Sequence, residues 1–193
     1  MHVSLVIRGE DHISNTPRHI LIQEALGVPT PMYAHVPLVL DKDRSKLSKR
    51  KGAITITEYK RQGYLPEALV NYMALIGWNP GTDQEIFTFD ELVEKFDLSK
   101  VQKSGASFDQ TKLDWVNKEH MNKLSDEDFK AKLSAYIHDY CDARTIELFE
   151  SLDFEKVKTL VRDRMSNFGE IKDMLGESAD GMGTGELAFI THA

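Results

Sequence analysis

The sequence has a single cysteine, Cys141, among its 193 residues. One cysteine excludes a disulfide framework and a cysteine-rich zinc site, and it is typical of a reducing compartment, so a cytoplasmic location is expected. Apolar runs of bilayer-spanning length are absent, and the amino terminus lacks the basic and apolar segments of a signal peptide. The seven histidines lack the spacing of metal ligands on a helix. Neither membrane association nor a protein-bound metal is therefore expected.

The net charge of −7 is unevenly distributed along the chain. Because the chain as a whole is acidic, it is no generic polyanion binder, and any contact with nucleic acid must be local. Between residues 41 and 61, however, basic side chains outnumber acidic ones. A solvated surface loop is the simplest interpretation of such a run. The basic residues of this stretch are Lys42, Arg44, Lys46, Lys49, Arg50, Lys51, Lys60 and Arg61.

The first fifty residues carry the pattern of a strand, a helix and a second strand. An apolar, β-branched run over residues 3–7 predicts a buried strand. Thr16 before Pro17 predicts a capped helix start, and Gly27 predicts its end. A second extended run covers residues 33–40. This order predicts part of a parallel α/β sheet. Because one helix cannot cover both faces of a sheet, we expect a piece of a longer protein or a sheet completed by association.

From residue 64 onwards the apolar spacing is helical. Helix starts are predicted at Pro66, at a Thr88 capping box, at Asp109 and at Ser125, and a last helix is predicted over residues 154–174. The predicted fold class is therefore α/β plus all-α, with a break in the helical region near residues 123–126. Four aromatic side chains are expected in the core rather than on a base-stacking surface, namely Tyr72, Trp78, Phe108 and Trp115.

A polar group follows the first predicted strand: Arg8, Gly9, Glu10, Asp11 and His12. Ligands of open α/β sheets bind just beyond the carboxyl ends of strands. There the Arg8 guanidinium can hold a carboxylate through two parallel hydrogen bonds, and Gly9 lets the backbone approach a ligand closely. The two acids could bind an ammonium group or ribose hydroxyls. The alternative is a polar turn with an internal Arg–Asp pair.

Residues 46–52 form a second candidate, with Lys46, Ser48 and Lys49 as its central side chains and Gly52 at its end. Several cations on a short loop can stabilise the negative charge that develops on phosphoryl oxygens and on a leaving pyrophosphate. Ser48 adds a hydroxyl donor. A plain basic loop is the alternative.

Three further patterns receive structural interpretations. Residues 15–18 could hold an anion at a helix N-terminus, but capping is the preferred interpretation. The glycines between residues 181 and 185 lack a preceding strand and a following helix, so they predict a flexible tail rather than a nucleotide-binding loop. Cys141 is expected to be inert.

Taken in order, these stretches resemble bacterial glutamyl-tRNA synthetase, a class I aminoacyl-tRNA synthetase. The resemblance covers residues 3–120, and it rests on the succession of motifs rather than on any one of them. The motifs are Val6-Ile7-Arg8-Gly9-Glu10-Asp11-His12, Ser14-Asn15-Thr16-Pro17-Arg18, His35-Val36-Pro37-Leu38, Lys46-Leu47-Ser48-Lys49-Arg50, Gly63-Tyr64-Leu65-Pro66-Glu67-Ala68-Leu69, Asn71-Tyr72, Gly77-Trp78, Gln84-Glu85-Ile86-Phe87, Lys103-Ser104-Gly105-Ala106 and Lys112-Leu113-Asp114-Trp115.

The resemblance implies a two-step reaction, in which L-glutamate and ATP form glutamyl-adenylate and pyrophosphate, and the glutamyl group then passes to tRNA(Glu). It implies Mg²⁺ bound with the ATP, held largely by phosphates and water. It also implies three regions. Residues 1–55 would be the C-terminal part of a Rossmann-like nucleotide-binding catalytic domain, residues 56–123 a helical stem-contact domain, and residues 124–193 the start of a helical anticodon-binding region with a flexible tail. The parent protein is expected to be a monomer.

The same resemblance assigns roles to individual residues. Arg8 would grip the substrate glutamate, and His12 would lie in the same pocket. Lys46, Ser48 and Lys49 would form the catalytic loop on the ATP phosphates. The remaining ATP-binding residues implied are Glu10 and the adenine wall of Pro37, Leu38 and Val39.

One part of the family pattern is absent from this sequence: the histidine-isoleucine-glycine-histidine motif and the strands around it. We therefore expect a fragment with one wall of the active site and, by itself, negligible aminoacylation activity. Two alternatives stay open. One is a non-catalytic tRNA- or partner-binding module derived from the same fold. The other is glutaminyl-tRNA synthetase, against which the Lys46-Leu47 start of the loop and the helical pattern after Asp126 argue.

Overall fold

A computed structural model of the chain describes residues 3–47 and 55–175. The chain forms two compact units, one of Met1–Ala53 with Met73–Asp109 and one of Ile54–Tyr72 with Gln110–Ala193. These units differ from the three predicted regions (1–55, 56–123 and 124–193), which are functional assignments and remain a prediction. The helices are α1 (Thr16–Ala25), α2 (Ile56–Arg61), α3 (Pro66–Gly77), α4 (Phe89–Lys95), α5 (Gln110–Asn122), α6 (Asp126–Tyr140), α7 (Ala143–Ser151), α8 (Phe154–Arg164) and α9 (Ile171–Leu175).

The first unit begins with a parallel pair of strands. Strand β1 (Leu5–Gly9) pairs with β2 (Met32–Val36), so that Leu5 lies opposite Met32 and Gly9 opposite Val36. The crossover between them is a 3₁₀ helix (Glu10–Asn15) followed by α1. Helix α1 ends at Ala25. Gly27, two residues further on, has a φ of 66° that suits glycine, and the amides of Gly27 and Val28 bond back to the carbonyls of Glu24 and Gln23. The predicted strand–helix–strand order is confirmed.

Two details of this crossover differ from the prediction. Strand β1 is not buried, since Ile7 is 50% exposed, because the described part of the chain leaves this face of the two-stranded sheet largely uncovered. Thr16 does not cap α1 either. The preceding residue, Asn15, is already helical, because the 3₁₀ helix runs directly into α1. The Thr16 hydroxyl is used instead at the strand ends.

The core of the first unit lies between the end of α3 and helix α4. Trp78 is 2% exposed and packs with Phe87 and Leu92. Helix α4 starts at the predicted capping box, in which the Thr88 hydroxyl accepts from the Glu91 amide and the Glu91 carboxylate accepts from the Thr88 amide.

Helices surround an aromatic core in the second unit. Phe129 of α6 packs against the rings of Phe154 and Phe168, and Phe168 also packs against Tyr136. Asn117 of α5 is fully buried; its side chain accepts from the Leu65 amide at 2.8 Å and donates to the Ser166 carbonyl at 2.6 Å. A buried amide side chain with partners in two distant segments fixes how the helices of this unit pack.

Several helical predictions are confirmed and others are corrected. Helices start at Pro66, next to Asp109 and next to Ser125 as predicted, whereas α2 and α7 were not predicted. The single helix expected over 154–174 is two helices, because the amides of Phe168 and Gly169 bond to the carbonyls of Gly63 and Gln62 instead of continuing α8.

The aromatic predictions have mixed outcomes. Trp78 and Tyr72 are buried as expected, and Phe108 is half-buried. Trp115 is 38% exposed, with the Lys112 ammonium 3.9 Å above its ring, so the prediction of a core position was wrong for Trp115. The ammonium attracts the face of the ring and covers it, so the ring is held at the surface without packing into a hydrophobic core. Every helix in the described ranges is too short or too polar to span a bilayer.

The buried Tyr136 gives a prediction for alkaline pH. Its hydroxyl donates to the Arg61 carbonyl at 2.7 Å, and burial raises the pKa of Tyr136 from 10.0 to about 12. Because the folded protein holds this proton more tightly than the unfolded chain does, the contribution of Tyr136 is complete below pH 10 and is lost as the pH rises towards 12. We expect Tyr136→Phe to cost about 1 kcal/mol of unfolding free energy at pH 7. This difference from the wild type should shrink above pH 10 in urea titrations; a constant difference would contradict the assignment.

Candidate active site at the strand ends

The guanidinium of Arg8 lies at the carboxyl end of β1 and is held by three side chains. Its Nε donates to His35 Nε2 at 3.3 Å, one terminal nitrogen lies 3.0 Å from His19 Nδ1, and the other donates to Thr16 Oγ1 at 2.7 Å. The guanidinium also lies 4.9 Å from the centre of the Tyr33 ring. Because β1 and β2 are in register at Arg8 and His35, these contacts follow from the strand pairing and from the start of α1.

The partners of Arg8 are all uncharged acceptors. An arginine side chain has five N–H donors and no acceptor, so the facing nitrogens of His19 and His35 must both be unprotonated. The three bonds leave one N–H on each terminal nitrogen available to a further acceptor. Within the described ranges, Arg8 forms no ion pair with an acidic residue. A positive charge that is oriented but not neutralised is suited to an anionic ligand.

Asp11 pairs with Lys46 rather than with Arg8. The Lys46 ammonium donates to the Asp11 carboxylate at 2.7 Å, and this bond lowers the pKa of Asp11. Arg44, with a φ of 62°, lies in a tight turn between Leu40 and Lys46. After this turn the chain runs antiparallel to its earlier part, so that Lys46 lies opposite Leu40. The sequence alternative of an internal Arg–Asp pair at this strand end is therefore replaced by a Lys–Asp pair that ties the turn to the 3₁₀ helix.

Glu10 and Gly9 connect the strand end to Leu38. One Glu10 carboxylate oxygen accepts from the Leu38 amide at 3.4 Å. A β-carbon on Gly9 would lie 2.6 Å from a carboxylate oxygen of Asp11 and 3.3 Å from a methyl group of Leu38. Gly9 therefore makes room for these two neighbours of its own chain, and the close approach of a ligand to Gly9 stays a prediction.

Two hollows adjoin the predicted site residues. One of about 230 Å³ is lined by Glu10, His35, Pro37 and Lys103, among others. A second, more apolar one of about 230 Å³ is lined by the backbone stretch 36–39 together with Phe96 and other apolar side chains. The predicted adenine wall of Pro37, Leu38 and Val39 thus borders open space in this unit.

Other predicted residues are placed less decisively. The His12 side chain is exposed on the 3₁₀ helix, and only its backbone carbonyl reaches the Arg8 group, through Thr16. Ser48 and Lys49 lie outside the described residues. In the described part of the chain no three metal-ligating side chains come together.

The sequence reasoning missed the residues that orient Arg8, namely Thr16, His19, Tyr33 and His35. Tyr33 and His35 are two apart on β2, so their side chains lie on one face of the strand. This alternation, combined with the parallel register, is the signal that could have placed them beside Arg8.

We call residues 46–52 the lysine loop. Removal of Lys46 tests the ion pair at the start of this loop. We expect Lys46→Ala to raise the pKa of Asp11 towards the ordinary aspartate range, because the hydrogen bond from the ammonium favours the carboxylate. Carbon-13 NMR titration of the Asp11 carboxyl measures this shift. Lys42→Ala, in the same turn, is the control and should leave the Asp11 pKa as in the wild type. An unchanged pKa in Lys46→Ala would show that the pair does not form in solution.

Comparison with known proteins identifies the group to which this strand-end arrangement belongs. Residues 1–115 match the family model described as tRNA synthetases class I (E and Q), catalytic domain. The chain belongs to this family. The resemblance seen in the motifs of the sequence is thereby confirmed.

The family relatives are longer than this chain. The glutamate–tRNA ligase of Nitrosospira multiformis is 43% identical over 174 residues, which are 90% of this chain and 37% of that ligase. The glutamate–tRNA ligase of Carboxydothermus hydrogenoformans is 56% identical over 117 residues, 61% of this chain and 24% of that one. The crystal structure of glutamate-tRNA synthetase from Elizabethkingia anophelis matches with a TM-score of 0.69 at 29% identity and covers 88% of this chain and 37% of that one. The chain therefore spans less than two fifths of the length of these class I synthetases.

Proposed function

We propose that this chain is the part of an ATP-dependent glutamate–tRNA ligase that supplies one wall of the glutamyl-adenylate site. The observation that carries the proposal is the Arg8 guanidinium, fixed at a strand end by three uncharged acceptors, with two N–H donors left for a carboxylate. Membership of the class I family and relatives named glutamate–tRNA ligase support the choice of reaction.

In the first step a carboxylate oxygen of glutamate attacks the α-phosphorus of ATP. The bond between that phosphorus and the bridging oxygen breaks, and pyrophosphate leaves with the bond's electron pair. In the second step a hydroxyl of the terminal adenosine of tRNA attacks the activated carbonyl, loses its proton and displaces AMP. Both steps develop negative charge on phosphoryl or carbonyl oxygens, so oriented cations are the useful catalytic groups.

Arg8 would hold the glutamate by its other carboxylate through two parallel hydrogen bonds, with His12 bordering the same pocket. The uncharged cage of Arg8 fits this role, because an acidic neighbour would compete with the substrate. Orientation by Thr16 and His35 would place the guanidinium before the substrate arrives, which lowers the cost of binding.

The lysine loop would act on the phosphates. Lys46 and Lys49 would stabilise the charge on the departing pyrophosphate, with Ser48 as a hydroxyl donor. Glu10 would lie at the nucleotide, and the backbone of residues 37–39 would form the adenine wall. Mg²⁺ would be held by the ATP phosphates and water, because in the described ranges no cluster of metal-ligating side chains is present and Asp11 is engaged by Lys46.

The helical regions would bind the tRNA. Residues 56–123 would form the stem-contact domain on the inside of the L-shaped tRNA(Glu), and residues 124–193 would begin the anticodon-binding region. We propose a cytoplasmic, monomeric parent protein. Glutamine as the substrate is the competing specificity, because the matching family model covers both amino acids.

A chimera tests the proposed function. This chain replaces the 174-residue matching stretch of the Nitrosospira multiformis ligase, and exchange of labelled pyrophosphate into ATP is measured. We expect exchange that depends on glutamate and not on glutamine, with the unmodified ligase as the reference. Exchange that depends on glutamine would show that glutamine, and not glutamate, is the substrate. A folded chimera that retains salt-sensitive tRNA binding but has no exchange would support the non-catalytic module. The 193-residue chain alone should show negligible exchange.

A further inference from the structure

The base of the turn that carries Lys46 is held by a segment more than sixty residues further along the chain. We call residues 105–108 the clamp segment. The Leu40 amide donates to the Ala106 carbonyl at 3.0 Å, and the Phe108 amide donates to the Leu40 carbonyl at 2.8 Å. Leu40 is thus paired with Ser107 on one side and with Lys46 on the other. The chain at Leu40 therefore lies between two bridged segments of the first unit.

Gly105 allows this close approach. A β-carbon at Gly105 would lie 2.8 Å from the Leu38 carbonyl oxygen, 3.0 Å from a methyl carbon of Leu40 and 3.1 Å from its Cγ. A carbon atom does not approach a backbone oxygen so closely, and the oxygen cannot rotate away as the end of a side chain does. A larger residue therefore displaces the backbone of residues 38–40, the clamp segment bonded to it, or both.

This backbone carries the groups that adjoin the candidate site. The Leu38 amide meets Glu10, the Val39 carbonyl accepts from the Leu47 amide at 3.1 Å, and Lys46 opposite Leu40 reaches Asp11. A displacement of Leu38 or Leu40 is transmitted directly to the point from which the lysine loop departs. Small displacements of catalytic groups cost large factors in rate or binding.

We propose that the clamp segment positions Lys46, and that Gly105 is the positioning residue. Gly105 sets the backbone of residues 38–40 so that Lys46 is presented next to Asp11 at the strand end. As far as it concerns ATP, this inference rests on the proposed function. The simpler possibility is that the clamp segment only stabilises the fold, in which case its perturbation lowers stability without altering the place of Lys46.

The first test uses the 193-residue chain and needs no catalytic activity. The Asp11 pKa is measured by carbon-13 NMR in the wild type, Gly105→Ala, Lys46→Ala and Gly77→Ala. We expect Gly105→Ala to raise the Asp11 pKa most of the way to the value in Lys46→Ala. Gly77→Ala is the matched control, because nothing lies within 4 Å of a β-carbon at Gly77, and its Asp11 pKa should equal the wild-type value. A folded Gly105→Ala with the wild-type Asp11 pKa would overturn the proposal.

Amide hydrogen exchange of the wild-type chain keeps the proposal testable if Gly105→Ala does not fold. The Leu40 and Phe108 amides should exchange slowly, because both are bonded in the clamp. Exchange of these two amides at the rate of an unstructured peptide would show that the clamp does not exist in solution, and would also overturn the proposal.

The second test concerns ATP and uses the chimeric ligase. We expect Gly105→Ala to raise the KM for ATP in pyrophosphate exchange by about tenfold and to leave the KM for glutamate unchanged. Gly27→Ala lies outside both hollows, has nothing within 4 Å of its added β-carbon, and should change neither. Equal KM values for ATP in Gly105→Ala and wild type would overturn the link to ATP. A wild-type chimera without exchange would count against the proposed function alone, because the NMR result on Lys46 does not depend on it.

Discussion

Replacement of Arg8 by lysine is expected to raise the KM for glutamate in the chimeric ligase by about 100-fold. The ammonium keeps the charge but cannot bond Thr16, His19 and His35 at once while offering two parallel donors to a carboxylate. Loss of one of the two parallel hydrogen bonds to a charged group, together with the orientation of the cation, costs about 1.5–3 kcal/mol, and each 1.4 kcal/mol is a tenfold change. The KM for ATP should stay close to the wild-type value, because Arg8 is assigned to the amino acid. Pyrophosphate exchange with varied glutamate measures both quantities.

The controls for Arg8 separate its orientation from its charge. Arg144→Ala removes an exposed arginine on α7 and should leave both KM values unchanged. Thr16→Val keeps the guanidinium but removes one of its acceptors, so a smaller rise in the KM for glutamate is expected, and Thr16→Ser should restore the wild-type value. A KM for glutamate in Arg8→Lys equal to that of the wild type would remove Arg8 from the amino-acid site.

The second large effect concerns stability. We expect Gly63→Ala to lower the unfolding free energy of the second unit by about 3 kcal/mol. Gly63 has a φ of 83°, and a β-carbon there would lie 2.5 Å from the Gly169 nitrogen and 2.7 Å from the Phe168 nitrogen. The left-handed backbone alone costs an alanine about 1–2 kcal/mol. The contact would also break the two hydrogen bonds that Phe168 and Gly169 donate to residues 63 and 62, at about 1 kcal/mol each.

A matched glycine distinguishes these two causes. Gly27 has a similar φ of 66°, but nothing lies within 4 Å of its β-carbon position, so Gly27→Ala should cost only about 1 kcal/mol. Labelling with 5-fluorotryptophan follows the two units separately in urea, because Trp78 belongs to the first and Trp115 to the second. If Gly63→Ala and Gly27→Ala lower the unfolding free energy of their own units equally, the close approach at Gly63 contributes nothing to the loss of stability.

Local signals in the sequence predicted most helix ends. The Thr88 capping box, the Ser125 cap and the Gly27 stop each depend on residues within four positions of one another, and all three are found in the structure. The strand–helix–strand order at the start of the chain was predictable for the same reason, because hydrophobic spacing and turn residues are local properties.

Long-range contacts produced the differences. The interruption between α8 and α9 arises because amides near Phe168 bond to a turn about a hundred residues earlier, at Gly63. No local pattern specifies that pairing. Asp142, which caps the unpredicted α7 by accepting from the Thr145 amide, is by contrast a local signal that was available and was overlooked.

The candidate site shows the same division. Arg8 and Lys46 could be named from the sequence because their chemistry and their motifs are visible there. The cage of Arg8 could not be named as readily, since it combines residues from β1, β2 and α1 that meet only after the strands pair. Likewise, the pairing of Asp11 with Lys46 depends on the turn that returns Lys46 along Leu40.

The proposed function depends most on the convergence of Arg8 and the lysine loop on one bound molecule. A crystal structure of the chimeric ligase with a non-hydrolysable glutamyl-adenylate analogue tests this directly. We expect the two free N–H groups of Arg8 to bond a carboxylate of the glutamyl group, while Thr16 and His35 still hold the guanidinium, and the Lys46 ammonium to lie on the phosphate side of the same ligand. An analogue bound with Arg8 out of contact, or with the lysine loop on a different face of the sheet, would contradict the account.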